Sequence, residues 1–213
     1  MEARDRVRVL APALADALSS VTVAGSESER EAVFRFRYSV YVEELQRGVG
    51  AVDERRRWVR DPEDDDSTTL LLYTTASDGT VTGTARLRGW PPGAVPNAIS
   101  NRFATVRFDG IDALGTAELG RVMVRPDQRG HYGGVSLACA CYQLASAELG
   151  ADLVFLTCLA GLVRHYQRTG FRTYAAPLVP TRDGVTVPVV LVLSDRSYLD
   201  SVGSFLAPLV GAL

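Results

Sequence analysis

The segment Glu118–Gly134, ELGRVMVRPDQRGHYGG, constrains this chain more than any other. Glu118–Val124 has the composition of a strand, Arg125–Gly134 reads as a turn, and Val135–Leu149 reads as a helix closed by Gly150. A strand that passes through a glycine-rich turn into a helix gathers unpaired backbone N–H groups at the helix start, where an anion binds. The turn has neither the lysine of a Walker motif nor the spacing of a dinucleotide fingerprint. Downstream, the apolar run Leu153–Leu159 predicts a strand buried on both faces. Leu162–Arg168 predicts a helix ending at Gly170, and Val185–Leu193 a final strand.

Upstream the signals are more scattered. Arg4–Leu18 reads as a short helix and Val21–Val23 as a strand. Ser28 with Glu31 forms a capping-box pattern that predicts a helix starting there, with Val33, Phe36, Val40 and Leu45 as its buried stripe. The polar stretch 47–67 reads as irregular, with Arg55–Arg57 at one end and a run of acids over 61–66 at the other. Thr69–Thr75 and Val81–Arg88 flank Ser77-Asp78-Gly79 as a hairpin, and the proline-containing 89–101 segment reads as a loop. The whole predicts a mixed α/β sheet without internal repeats, occupying one domain over 1–213, with an additional helix within 1–20 and an apolar tail over 201–213. That tail covers a tunnel or a partner surface, or packs on its own core.

Charge and composition remove several functions. The net charge is −2, so no overall field attracts nucleic acid. All 23 positive charges are arginine, which excludes Schiff-base lysine chemistry. Cys139, Cys141 and Cys158 lie in apolar stretches and fit reduced thiols of a cytoplasmic protein; with no histidine at ligand spacing, no metal is expected. His131 and His165 have no partner at a diagnostic spacing. The acidic N-terminus fits no secretory signal, and no apolar run reaches the roughly 20 residues of a membrane span.

The motifs, taken in order, resemble a known superfamily. Arg129–Gly134 is similar to the Q/R-x-x-G-x-G/A turn of the GNAT acyltransferases, with Tyr132 at the place of the central glycine, and Tyr166–Phe171 is similar to their Y-x-x-x-G-F segment. The N-terminal half resembles acyl-homoserine-lactone synthases and the related N-acyl amino acid synthases. The resemblance rests on Arg37 with Tyr41, on Asp61 with Asp64, on Arg86-Leu87 after Gly83-Thr84-Ala85, and on Glu118 with Arg121. The matches extend from Arg30 to Phe171. Where the lactone synthases carry a tryptophan this chain has Gln46-Arg47-Gly48, which favours an amine such as an amino acid over S-adenosylmethionine.

The resemblance implies a GNAT fold, a mixed twisted central sheet flanked by helices, and transfer of an acyl group from acyl-CoA or an acyl carrier protein thioester to the amine of a small metabolite. It implies Glu118 as general base and Tyr166 as the acid that protonates the leaving thiolate. Val122, Met123 and Val124 would face the thioester, with Gln128, Arg129, Gly130, Gly133 and Gly134 around the donor phosphates. Arg37, Tyr41, Asp61, Asp64, Arg86 and Arg121 would surround the acceptor. Three alternatives stand beside these roles: an ion pair between Glu118 and Arg121, which a regular strand forbids without a bulge; a structural ion-pair network in place of an acceptor pocket; and Tyr166 as a packed core residue. Acetyl-CoA as donor, or a silent thioester-binding module, are the competing functions.

Overall fold

Helix α1, Glu27–Tyr38, starts two residues before the position expected from sequence, because Ser26 rather than Ser28 caps it. The Glu29 N–H donates to Ser26 Oγ (3.3 Å), and the Glu29 carboxylate accepts from the N–H groups of Ser26 (2.8 Å) and Gly25 (3.0 Å). Glu31 pairs instead with Arg35 one turn on. Val33, Phe36 and Val40 are buried as the spacing requires, and Arg37, one turn after Val33, is buried with them. The helix runs on into a π-helical turn, Ser39–Glu44, closed by the Leu45 N–H on Val40 O. The wider turn rotates the chain off the stripe, so Leu45 is exposed rather than buried.

The computed structural model describes residues 20–47, 51–129, 132–177 and 184–211. The helix expected over Arg4–Leu18 lies outside them, as do Gly130 and His131. Nine strands are described: β1 Val21–Val23, β2 Val52–Asp53, β3 Trp58–Val59, β4 Thr69–Thr75, β5 Val81–Trp90, β6 Thr116–Val124, β7 Leu153–Leu159, β8 Arg172–Thr173 and β9 Thr186–Val192. Seven of them form one mixed sheet in the order β1-β4-β5-β6-β7-β9-β8, and β2 and β3 form a separate ladder. The described residues group into two compact units, one ending at Arg86 and resuming over Arg121–Cys141, the other taking Leu87–Gly120 and the chain from Tyr142 onward.

In the first unit β1 runs antiparallel to β4, with Val21 opposite Thr74 and Val23 opposite Leu72. The hairpin after β4 closes as expected at Gly79, whose φ is 81°. Every residue of β5 is buried, and the strand is two residues longer than its sequence pattern. A Cβ on Gly83 would lie 2.9–3.2 Å from Thr74 Oγ1, Leu137 and the Met123 carbonyl, so this position of β5 admits no side chain without a shift. The 47–67 stretch is not irregular throughout. It contains the β2–β3 ladder and a 3₁₀ turn, Pro62–Asp65. Trp58 supplies the order: it is buried, 6.0 Å from the Phe34 ring, with the exposed Arg56 guanidinium over its face.

In the second unit β6 is parallel to β7, with Glu118 opposite Phe155, and β7 is antiparallel to β9 along its full length. A parallel pair needs a crossover, supplied by helix α3, Tyr132–Ala147. This helix starts three residues earlier than its sequence pattern and so takes Gly133 and Gly134 into its first turn. The segment expected as a loop over 89–101 begins as the end of β5 and ends in helix α2, Asn97–Phe103. Tertiary packing decides this, because Ile99 and Phe103, one turn apart, are buried with Trp90, Leu153, Phe155 and Val190. Helix α4, Val163–Thr169, ends at Gly170 with φ 115°. Helix α5, Arg196–Ser201, leads into the tail, where Leu206 and Leu209 are buried and Ser204 Oγ donates to the Thr169 carbonyl. No described helix is long and apolar enough to cross a membrane.

Two stability measurements check these assignments. A Cβ at position 115 would lie 2.0 Å from the Gly150 carbonyl oxygen, so Gly115→Ala should lower the urea-unfolding free energy by at least about 1–3 kcal/mol. The cap hydrogen bonds from the Ser26 backbone, the Ser26 hydroxyl and the Tyr73 hydroxyl pull the Glu29 carboxyl down from 4.5 to about 2. A depressed carboxyl stabilises the fold above its unfolded pKa and loses that contribution as pH falls through its folded value. The stability gap between wild type and Glu29→Gln should therefore be full above pH 4.5 and close toward pH 2.

Candidate functional site

Five charged side chains meet in the first unit, brought from four elements. Arg37 comes from α1, Asp61 and Asp64 from the start of the 3₁₀ turn, Arg86 from β5 and Arg121 from β6. Arg37 Nη1 donates to Asp64 Oδ2 at 2.7 Å, with neither side chain exposed. Arg86 Nη1 lies 2.9 Å from Asp61 Oδ2 and 3.5 Å from Asp64 Oδ1. Arg121 holds Asp61 bidentately through Nε (2.6 Å) and Nη2 (2.5 Å), and its guanidinium stands 5.1 Å from the Tyr41 ring centre. The Asp61 N–H completes the set by donating to Asp64 Oδ2. All six residues expected around the acceptor are thus brought together, with every Asp61 and Asp64 oxygen already accepting from a guanidinium.

Burial and charge oppose one another here. Burial would raise the Asp61 carboxyl, but the Arg121 hydrogen bond and the charges of Arg121, Arg86 and Arg37 outweigh it and hold the group below the usual range. Burial likewise would lower Arg121, and its bonds to Asp61 reverse the sign. For Arg37 burial wins. The guanidinium is pushed below its ordinary value, and Nε and Nη2 find no hydrogen-bond partner among the described residues.

The second group lies in the other unit. Glu118 on β6 is buried, with Oε1 2.5 Å from Arg102 Nη2 and Oε2 3.4 Å from Arg88 Nη1. A Glu118–Arg121 pair is not made. Arg121 has φ 52°, a left-handed break in β6, and its side chain goes to Asp61. Arg88 and Arg102 are the residues that sequence reasoning missed. Arg88 follows Arg86 at the same-face interval of a strand, which is a usable signal; Arg102 carries none. The Arg88 guanidinium also covers the Trp90 ring at 5.1 Å.

The turn after β6 has its own fastening. Val122 is partly exposed, Met123 buried, and the Arg125 N–H donates to the Thr82 carbonyl. Arg129 Nε donates to the Val124 carbonyl at 2.9 Å, and its guanidinium pairs with Glu44 at 2.6 Å. The Gln128 side chain reaches Asp127. A Cβ on Gly134 would make only ordinary contact with Val124 at 3.9 Å. Tyr166 lies on α4, half-buried, edge-on to Phe171 at 5.5 Å, and its carbonyl accepts from the Gly170 and Phe171 N–H groups. Burial pushes the Cys139 and Cys141 thiols up to about 12 and also raises Cys158, which makes poor nucleophiles.

Removing one partner of a buried pair strands the other charge. Asp64→Ala should destabilise the fold by about 3–5 kcal/mol, and adding Arg37→Met should recover part of that loss. Urea titration of both variants distinguishes a stranded charge from a mere loss of contacts.

Residues 32–195 match the family model of the N-acyl amino acid synthase FeeM. No curated protein sequence matches the chain. Among solved structures, FeeM, an N-acyl amino acid synthase from uncultured soil microbes, superposes with a TM-score of 0.64 at 16% identity, over 89% of this chain and 96% of that one. TofI, in a ternary complex with an inhibitor and MTA, gives 0.63 at 20% identity over 89% and 99%. BjaI, a CoA-dependent acyl-homoserine lactone synthase with SAM and isopentyl-CoA, gives 0.62 at 22% over 83% and 82%. The shared architecture is the GNAT N-acyltransferase fold. With the family match covering more than half of its length, the chain belongs to the FeeM family of N-acyl amino acid synthases and is an acyltransferase.

Proposed function

We propose that this acyltransferase moves a fatty acyl group from an acyl carrier protein or CoA thioester directly to the amine of a small metabolite, an amino acid, in the cytoplasm, with 1–213 working as one acyltransferase domain. The observation that carries the reading is Glu118. It is a buried carboxylate on β6, three residues before the left-handed break at Arg121 and just ahead of the glycine turn. A buried carboxylate on a central sheet strand is suited to proton removal from an amine.

In this reading Glu118 takes a proton from the acceptor ammonium, directly or through a water. The freed amine attacks the thioester carbonyl carbon. The oxyanion of the tetrahedral intermediate is met by backbone N–H groups over Val122–Val124, and one such donor contributes roughly 3 kcal/mol. Collapse breaks the carbon–sulfur bond, Tyr166 protonates the departing thiolate, the second proton of the attacking nitrogen is lost to water as the amide forms, and solvent returns a proton to Tyr166. No acyl-enzyme forms, in keeping with thiols held protonated by burial. Gln128, Arg129, Gly133 and Gly134 surround the donor phosphate. Arg37, Tyr41, Asp61, Asp64, Arg86 and Arg121 order the acceptor side of the site; the saturation of both aspartate carboxylates by guanidiniums supports a role in holding the loop that shapes it.

Thiol release from acetyl-CoA, long-chain acyl-CoA and acyl carrier protein thioesters against a panel of amino acids tests this. Long-chain donors should be used, and Glu118→Gln should lower kcat/KM roughly 10²- to 10⁴-fold. A strict preference for acetyl-CoA would replace the fatty donor, and no release from any donor would overturn the enzyme reading.

A further inference from the structure

The geometry points to Arg102 as the residue that binds the carboxylate of the amino acid acceptor, and we propose that in the unliganded protein it rests on Glu118 as a stand-in for that acceptor. The inference rests on the function proposed above, in which Glu118 receives the acceptor amine.

Arg102 and Glu118 differ in their surroundings. Glu118 is held on a central strand at 6% exposure, with Arg88 on its second oxygen. Arg102 reaches the first oxygen from α2 with 41% of its side chain in solvent. The backbone beneath it is fixed. Phe103 is buried against Phe155, the register partner of Glu118, and its carbonyl accepts from the Tyr174 hydroxyl. The next residue, Ala104, ends the helix in the left-handed region. The Arg102 guanidinium lies over the Phe103 ring at 4.7 Å. A fixed Cα with a solvent-accessible, single-bonded side chain describes a group that can swing without moving the helix.

An α-amino acid carries its ammonium and carboxylate on one carbon. Inserted between Glu118 and Arg102, its ammonium takes the Glu118 oxygen that Arg102 holds at rest, and its carboxylate takes the released guanidinium, with the planar fork matched to a carboxylate. One ion pair becomes two, the net charge of the site is unchanged, and no buried charge is stranded. A simple amine cannot do this. It takes the carboxylate oxygen and leaves Arg102 without a counter-charge, so the same two residues that bind an amino acid discriminate against its decarboxylated or amidated forms. Arg88 keeps the carboxylate oriented through the exchange.

The test is steady-state kinetics of the full chain with saturating acyl donor, using the best acceptor of the amino acid panel and its primary amide, which keeps the side chain and ammonium but lacks the carboxylate. Wild type should prefer the acid. Arg102→Gln should raise KM for the acid roughly 10- to 100-fold, lower KM for the amide, which no longer displaces a cation from Glu118, leave KM for the donor unchanged, and so erase the preference. Arg102→Lys, which keeps the charge without the fork, should restore part of it. Thermal unfolding of both variants near the wild-type midpoint shows that folding is not the cause. Equal losses on acid and amide, or an unchanged preference in Arg102→Gln, would overturn the assignment of Arg102 while leaving the acyltransfer reading intact. Absence of transfer to any amino acid by wild type would remove the reading on which it rests.

Discussion

The buried pairing of Asp61 and Asp64 with three guanidiniums is the constraint on which the first unit depends. Taking a carboxylate and a guanidinium out of water costs several kcal/mol per ion, and only close, multiply hydrogen-bonded geometry offsets it. Here that geometry joins α1, the 3₁₀ turn, β5 and the end of β6, with distances of 2.5–2.9 Å for the main contacts. It turns an acidic, hydrophilic stretch into a fastened part of the core. It also explains why arginine is suited to these positions beyond any bias of composition. Arg121 grips both oxygens of Asp61 and Arg86 lies between two carboxylates, whereas an ammonium lacks the planar fork.

The second organising feature is the break in β6. A left-handed conformation at a non-glycine residue costs roughly 1–2 kcal/mol, and at Arg121 the bidentate bond to Asp61 holds it in place. Even with this break, Glu118 and Arg121 do not neutralise each other. Arg121 joins the acidic pair, and Glu118 takes Arg88 and Arg102. One short sequence motif therefore feeds two electrostatic environments, one in which every carboxylate oxygen meets a guanidinium and one closed by a half-exposed side chain.

Legibility followed locality. β4 and β7 match their sequence patterns end to end, because each is an apolar or β-branched run bounded by turn residues. The helix ending at Gly170 and the hairpin at Gly79 were readable for the same reason: a positive φ asks for glycine at a position that sequence displays. The misses have the opposite cause. The true cap of α1 is one of two nearby serines, and only the Glu29 carboxylate reaching back to Gly25 and Ser26 separates Ser26 from Ser28. The β2–β3 ladder and α2 are short and locally unremarked in sequence, and they form where Trp58, Ile99 and Phe103 find partners distant along the chain.

The site divides in the same way. The sequence by itself determined which charged residues have family motifs around them, since motif spacing is local, and Arg37, Tyr41, Asp64, Arg86 and Arg121 do come together with Asp61. It did not determine who pairs with whom. Ion pairing depends on distances of a few ångströms between elements far apart in the chain, and on a single backbone torsion at Arg121 that no composition or periodicity reveals. The partners of Glu118 come from the last turn of a short helix and from the far end of a strand, so only the tertiary structure decided that Arg102 and Arg88, rather than Arg121, stand beside the buried carboxylate.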